Sequence, residues 1–251
     1  MSNKDIEKLL SAGIPNAQQE YSWLKDYAAN TTQLSEWVKE RANGKPLAYI
    51  LGHTDFFGLN LIVSKNVLIP RHETEELIEL VIDNTPKNKC LNLLDLGCGS
   101  GAIALTLKKH LPLCNVFALD LSMKALSIAL KNQAQYPEIS VQWIQGSWLK
   151  AINLNNIDII VSNPPYVECN WQDNSITHEP NIALYSGDDG LDDIKIIMQQ
   201  SCQHKHLDIW FEHGHQHDLS KFSCSSWNIK KFYDHSGSQR FTHLSCDRKH
   251  V

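Results

Sequence analysis

The chain has 251 residues, a formal charge of −5 and a pI near 6.2, which is enough chain for one large α/β domain with a small appendage. An acidic balance offers no basic surface, so stable nucleic-acid binding is not expected and a protein partner fits better. Seven cysteines, an odd number running from Cys90 to Cys246 without a C-x-x-C pair, read as reduced thiols. The start, Met1-Ser2-Asn3-Lys4-Asp5, leads into no apolar signal segment, and no stretch is long and apolar enough to span a bilayer. A cytoplasmic, monomeric protein is expected.

In chain order, three short helical patterns come first, the clearest placing Leu34, Trp37 and Val38 at helical spacing before the Gly44-Lys45-Pro46 break. They predict a helical domain over residues 1–45, whose apolar stripes either pack on one another or help to hold a substrate. Residues 46–70 read as a β-hairpin connector with strands Ala48 to His53 and Phe56 to Val63. From 71 to 251, a helix through Leu77, Leu80 and Val81 is followed by strands near 91–95, 115–119, 140–144, 157–162 and 207–212, with helical patterns between them. That alternation predicts a parallel, doubly wound α/β sheet. The closely spaced runs 229–233 and 240–245 predict an antiparallel pair at its edge.

Two motifs carry chemistry. Asn163-Pro164-Pro165-Tyr166 directly follows the apolar run Ile157 to Ser162, so two prolines stiffen the loop at a strand end and remove two backbone donors. A planar –NH2 group there can give its hydrogens to the Asn163 side-chain oxygen and the Pro164 carbonyl, while the Tyr166 ring covers its face. Asn163, Pro164, Pro165 and Tyr166 are therefore the candidate catalytic and substrate contacts. The second motif is Gly97-Cys98-Gly99-Ser100-Gly101, between an apolar strand and a helical pattern. Its G-x-G-x-G spacing lets the backbone approach a ligand closely. Asp120 ends the next apolar run about 20 residues on, where a carboxylate can accept from two ribose hydroxyls. Ribose without an obvious pyrophosphate site points to S-adenosylmethionine. In such sheets ligands sit beyond the carboxyl ends of the strands, where both motifs and Asp120 fall.

In six stretches, the sequence resembles the HemK-type protein-(glutamine-N5) methyltransferases, particularly the branch acting on bacterial peptide chain release factors. These are RANGKPLAYILG at 41–52, VLIPRHETEE at 67–76, LDLGCGSGAIAL at 94–105, IDIIVSNPPY at 157–166, EPNIALYSGDDGL at 179–191 and FEHGHQ at 211–216. The glycine loop and Asn-Pro-Pro-Tyr alone would also suit enzymes that methylate exocyclic amines, so 67–76 and 179–191 carry the narrower resemblance. It implies a seven-stranded Rossmann-like class I S-adenosylmethionine-dependent methyltransferase fold with a reversed last strand. It also implies transfer of a methyl group to the glutamine side-chain nitrogen in the Gly-Gly-Gln motif of class I release factors, and a helical domain that helps to hold the protein substrate.

Cofactor contacts are expected from Gly97, Cys98, Gly99, Ser100, Gly101, Asp120, Trp148 and Asn163. Trp148 suits stacking on adenine or packing in the core alike. Two positions depart from the family pattern: Ser147 stands where an Asp usually precedes the Trp, and His72 where a proline is usual. Glu179 and Pro180 read as part of the substrate-side loop or as a solvated acidic loop. The histidines at 204, 206, 213, 215 and 217 lack a cysteine pair or an H-E-x-x-H helix, and no metal site is read from them. The alternatives are a glutamine methyltransferase of a large-subunit ribosomal protein and an adenine-N6 DNA methyltransferase. The latter should carry a basic target-recognition segment.

Overall fold

The computed structural model describes residues 2–171, 176–222 and 227–246. Helices α1 (Ser2–Ser11), α2 (Ala17–Tyr27) and α3 (Thr31–Ala42) gather Leu9, Ile14, Leu24 and Val38 into an apolar cluster separate from those of the sheet. Asn30 caps α3 by accepting from the Gln33 N–H at 2.9 Å, satisfying a donor that the first turn leaves free.

The connector departs from the sequence expectation. Residues expected to open a strand at Ala48 instead form helix α4 (Leu47–Leu51), entered from Pro46 and closed by Gly52 in the left-handed region. A proline fixed at φ −55 and a glycine at φ +83 bracket five apolar residues, and Ile50 then packs with the helical cluster. The hairpin follows as β1 (His53–Phe56) and β2 (Leu59–Ile62), paired antiparallel with Phe56 opposite Leu59. Its turn is Phe57-Gly58, both at positive φ, the conformation that a two-residue turn between twisted strands requires.

The remaining strands are β3 (Asn92–Leu96), β4 (Asn115–Asp120), β5 (Gln142–Gln145), β6 (Ile159–Ser162), β7 (Asp208–Glu212), β8 (Asn228–Tyr233) and β9 (Gln239–Ser245). They form one seven-stranded sheet of order β5-β4-β3-β6-β7-β9-β8. The first five are mutually parallel, and β9 runs antiparallel between β7 and β8. Alternate residues serve opposite faces. Leu93, Val116, Ala118, Ile159, Val161 and Trp210 join one core cluster, with α5 (His72–Asn84), α6 (Ala102–His110) and Leu126 of α7 (Met123–Gln135). Leu94, Leu96, Leu119, Ile160, Ile209 and Phe211 join the other, with α8 (Asp192–Ser201). Burial on both faces is why these strands read as continuous apolar runs.

Among the described residues Cys90, Cys98, Cys114, Cys169 and Cys246 are free thiols. Among the described residues no helix is long and apolar enough to cross a membrane.

Candidate active site

Strand β3 lies between β4 and β6, so successive crossovers leave it in opposite directions and open a crevice at its carboxyl end. Gly97 follows β3, Asp120 ends β4 and Asn163 follows β6. Together with Gly99, Ser147, Trp148 and Pro165 they line a single cleft, whose outer walls come from Val67 and Leu68 on one loop and Pro180 and Ile182 on another.

The glycine loop is anchored from below. The N–H groups of Gly97 and Cys98 both donate to the Leu119 carbonyl, at 2.8 and 3.0 Å, which ties the loop to the end of β4. Gly99 and Ser122 then donate to the two oxygens of Asp120, each at 2.8 Å. A carboxylate accepts about four hydrogen bonds, so Asp120 keeps capacity for further donors on the cleft side. Burial raises its pKa, against the lowering effect of these backbone bonds. Gly99 sits at φ +56, and a Cβ there would meet no protein atom within 4 Å; its backbone faces open cleft. Gly101 is the reverse case: at φ +84, a Cβ would lie 2.7 Å from the Trp143 ring.

Cys98, Ser100 and Gly101 are not on the cleft wall. Cys98 and Ser100 are buried, and the Ser100 carbonyl accepts from Asn132 on α7 at 2.8 Å. Beneath the loop, Asp95 is fully buried and accepts from the Ala104 N–H at 3.1 Å. Its other oxygen has no partner, and burial pushes its pKa up to about 8. Trp148 lies at φ +47, donates from Nε1 to Asp193 at 3.0 Å and packs against the α8-side core while also facing the cleft.

Asn163 is held through a partly buried chain of hydrogen bonds. Ser162 donates to the Leu96 carbonyl at 2.7 Å, joining the ends of β6 and β3. The Asn163 Nδ2 donates to Thr74 Oγ1 at 3.0 Å, and Thr74 donates to Glu212 Oε2 at 2.7 Å. Tyr166 donates to Glu212 Oε1 at 3.3 Å and accepts from Arg240 at 3.5 Å. With its nitrogen committed to Thr74, the Asn163 carboxamide turns its oxygen the other way, and no described donor meets that oxygen. Both prolines are buried, and Pro165 lines the cleft, whereas Pro164 and Tyr166 are not on its wall. No described backbone donor outside the regular elements takes the Pro164 carbonyl.

Thr74 and Glu212 were not singled out from the sequence, although each lies within a stretch that carried the resemblance, 67–76 and 211–216. Glu179 is buried rather than solvated: its carboxylate accepts from the Ile69 N–H at 3.2 Å and pairs with Arg71. That ion pair joins the two outer walls of the cleft. His72 is the exposed first residue of α5, a position where proline is favoured because its N–H has no helical partner. Histidine leaves the helix entry intact.

The family model "Methyltransferase small domain" matches residues 71–180. The release factor glutamine methyltransferase of Coxiella burnetii is 38% identical over 217 residues, covering 84% of this chain and 78% of that protein. The protein of the same name from Francisella tularensis subsp. tularensis is 39% identical over 256 residues, covering 96% and 90%. Among solved structures, the hMettl16 catalytic domain superposes with a TM-score of 0.61 at 17% identity, covering 92% of each chain; at that identity the likeness is one of fold, a class I methyltransferase fold. Near-full-length identity, the matched family model and a cleft at the expected strand ends establish that the chain belongs to the release factor glutamine methyltransferase family.

Proposed function

We propose that this protein transfers a methyl group from S-adenosylmethionine to the side-chain nitrogen of the glutamine in the Gly-Gly-Gln motif of class I peptide chain release factors. The observation that carries the reading is the Asn163 carboxamide, pinned by its nitrogen to Thr74 so that its oxygen is left to accept at a cleft shared with Gly97 and Asp120. The curated relatives named for release factor glutamine methylation support the substrate.

The residues fit the cofactor. Gly99 presents bare backbone to open cleft, Asp120 retains acceptor capacity for ribose hydroxyls, and the Trp148 indole offers an apolar wall to adenine. Ser147 supplies a hydroxyl on the same wall where the family has a carboxylate. When bound, the cofactor supplies a methyl carbon made electrophilic by its sulfonium.

The protein's own task is to turn a poor nucleophile into a competent one. An amide nitrogen has its lone pair delocalised into the carbonyl. Asn163 Oδ1 and the Pro164 carbonyl accept its two hydrogens and hold the group in one orientation. As positive charge grows on that nitrogen in the transition state, both acceptors bind it more strongly than in the ground state, the condition for lowering the barrier. Fixed orientation contributes up to roughly 7–11 kcal/mol in intramolecular models, which makes positioning the leading effect. No side chain need act as general base before transfer. The helices over residues 1–45 hold the release factor, and Ile182, more than half exposed at the cleft rim, meets its loop.

Incubation with labelled cofactor and either purified release factor or duplex DNA tests the proposal. Label should appear on the release factor glutamine, located by mass spectrometry of the peptide. Label on DNA alone, or on neither, rejects it.

A further inference from the structure

Why does the Asn163 carboxamide face the cleft with its oxygen rather than its nitrogen? The two ends are nearly equal in shape, and a half-turn about the last side-chain bond exchanges them. In the wrong setting, –NH2 would oppose the –NH2 of an incoming amide. The neighbours therefore decide the setting, and their donor directions can be followed from the far end of the chain.

Arg240 is a donor only, so at 3.5 Å from the Tyr166 hydroxyl it makes that oxygen an acceptor and directs the phenolic proton onto Glu212 Oε1. Thr74 has one proton as well. With Glu212 ionised, and so acceptor-only, the Thr74 proton goes to Glu212 Oε2. A lone pair of Thr74 Oγ1 is left facing Asn163, and only the –NH2 end of the carboxamide satisfies it. Protonated Glu212 reverses this: it donates to Thr74, Thr74 donates onward, and Asn163 must then offer Thr74 its oxygen. We propose that Thr74 and Glu212 are positioning residues that set the Asn163 acceptor toward the substrate amide, and that the setting holds only while Glu212 is ionised. The proposal rests on the glutamine-methylating reading of this cleft.

The surroundings place that switch near neutrality. Glu212 is fully buried, and burial, opposed by the Thr74 bond and by Arg240, pushes its pKa up to about 7. Glu73 of α5 raises it further; Glu73 and Asp234 both contact Arg240, at 3.5 and 3.3 Å. The adjacent His213 ring is engaged elsewhere, with Thr242 at 2.8 Å and the Gly214 carbonyl at 2.9 Å. Burial also raises the pKa of Tyr166, keeping it a donor across the range.

The experiment compares wild type, T74V, T74S and E212Q in full-length protein, measuring methylation of purified release factor under cofactor saturation, cofactor affinity by calorimetry, and kcat across about two pH units either side of neutrality. T74V, isosteric but without a hydroxyl, should lose about a hundredfold in kcat while cofactor affinity and release factor KM stay within about threefold. T74S should recover most of that loss. Wild-type kcat should fall with decreasing pH through about 7, and E212Q should lack this limb. A T74V enzyme with wild-type kcat, a T74S no better than T74V, or an E212Q retaining the wild-type acidic limb would each overturn the inference. Should T74V fail to fold, T74C is read in its place by the same criteria. Wild type that leaves the glutamine unmethylated overturns the functional reading itself, a separate result from wild type and T74V methylating alike.

Discussion

Asn163 and Asp120 divide the work of the cleft, and single substitutions should separate them. Asn163→Ala removes an acceptor whose strength matters most in the transition state, so kcat should fall about 10²–10³-fold while calorimetric cofactor affinity changes little. A loss of affinity matching the loss of rate would contradict the role. Asp120→Ala removes a charged acceptor at the cofactor side, a change of about 1.5–3 kcal/mol. The cofactor KM should rise at least tenfold, and saturating cofactor should restore most of the rate. Asn163 was legible in the sequence because the prolines beside it advertise a rigid loop at a strand end. Thr74 and Glu212 were not: Thr74 lies 89 positions from Asn163 and 138 positions from Glu212, and a threonine in a first helical turn or a glutamate ending a strand carries no local mark of what it will touch.

At the scale of elements, the glycine loop joins local conformation to packing. Gly101 combines φ +84 with a Cβ position 2.7 Å from the Trp143 ring, so Gly101→Ala meets both backbone strain and overpacking. Destabilisation of about 1–3 kcal/mol is expected, measured as a lower urea midpoint; an unchanged midpoint would show that Trp143 gives way freely. The strands β3, β4, β6 and β7 were readable because burial on two faces makes their runs predominantly apolar. The segment 47–51 was not, because five apolar residues satisfy either period. Only packing of Ile50 against the helical cluster, with Pro46 and Gly52 at its ends, selects the helix.

Over the whole molecule, two buried carboxyl groups tie stability to pH. Asp95 holds its proton up to about pH 8 when folded, against an ordinary value of 3.8, and Glu212 to about 7 against 4.5. The unfolded chain releases both protons at lower pH, so at these two sites the folded state binds more protons over this window; buried His213, lowered from 6.5 to about 4, offsets the Glu212 share below about pH 6.5, and the net fall in stability from about pH 4 to 8 is carried by Asp95. Urea midpoints across that range should show the decline, and Asp95→Asn should flatten it; a decline of unchanged slope in the variant would assign the dependence elsewhere. The Arg71–Glu179 pair likewise belongs to this scale, since it fastens two cleft walls more than a hundred residues apart. By itself the sequence determined the alternating elements, the glycine turn, the rigid Asn-Pro-Pro-Tyr loop and the family, because these rest on local backbone chemistry and on apolar periodicity. The tertiary structure alone decided which end of Asn163 faces the cleft, the burial of Glu179 and the closure of the cleft walls. Those depend on which distant donors and acceptors meet out of water, and that pairing is set by how the strands are ordered in the sheet.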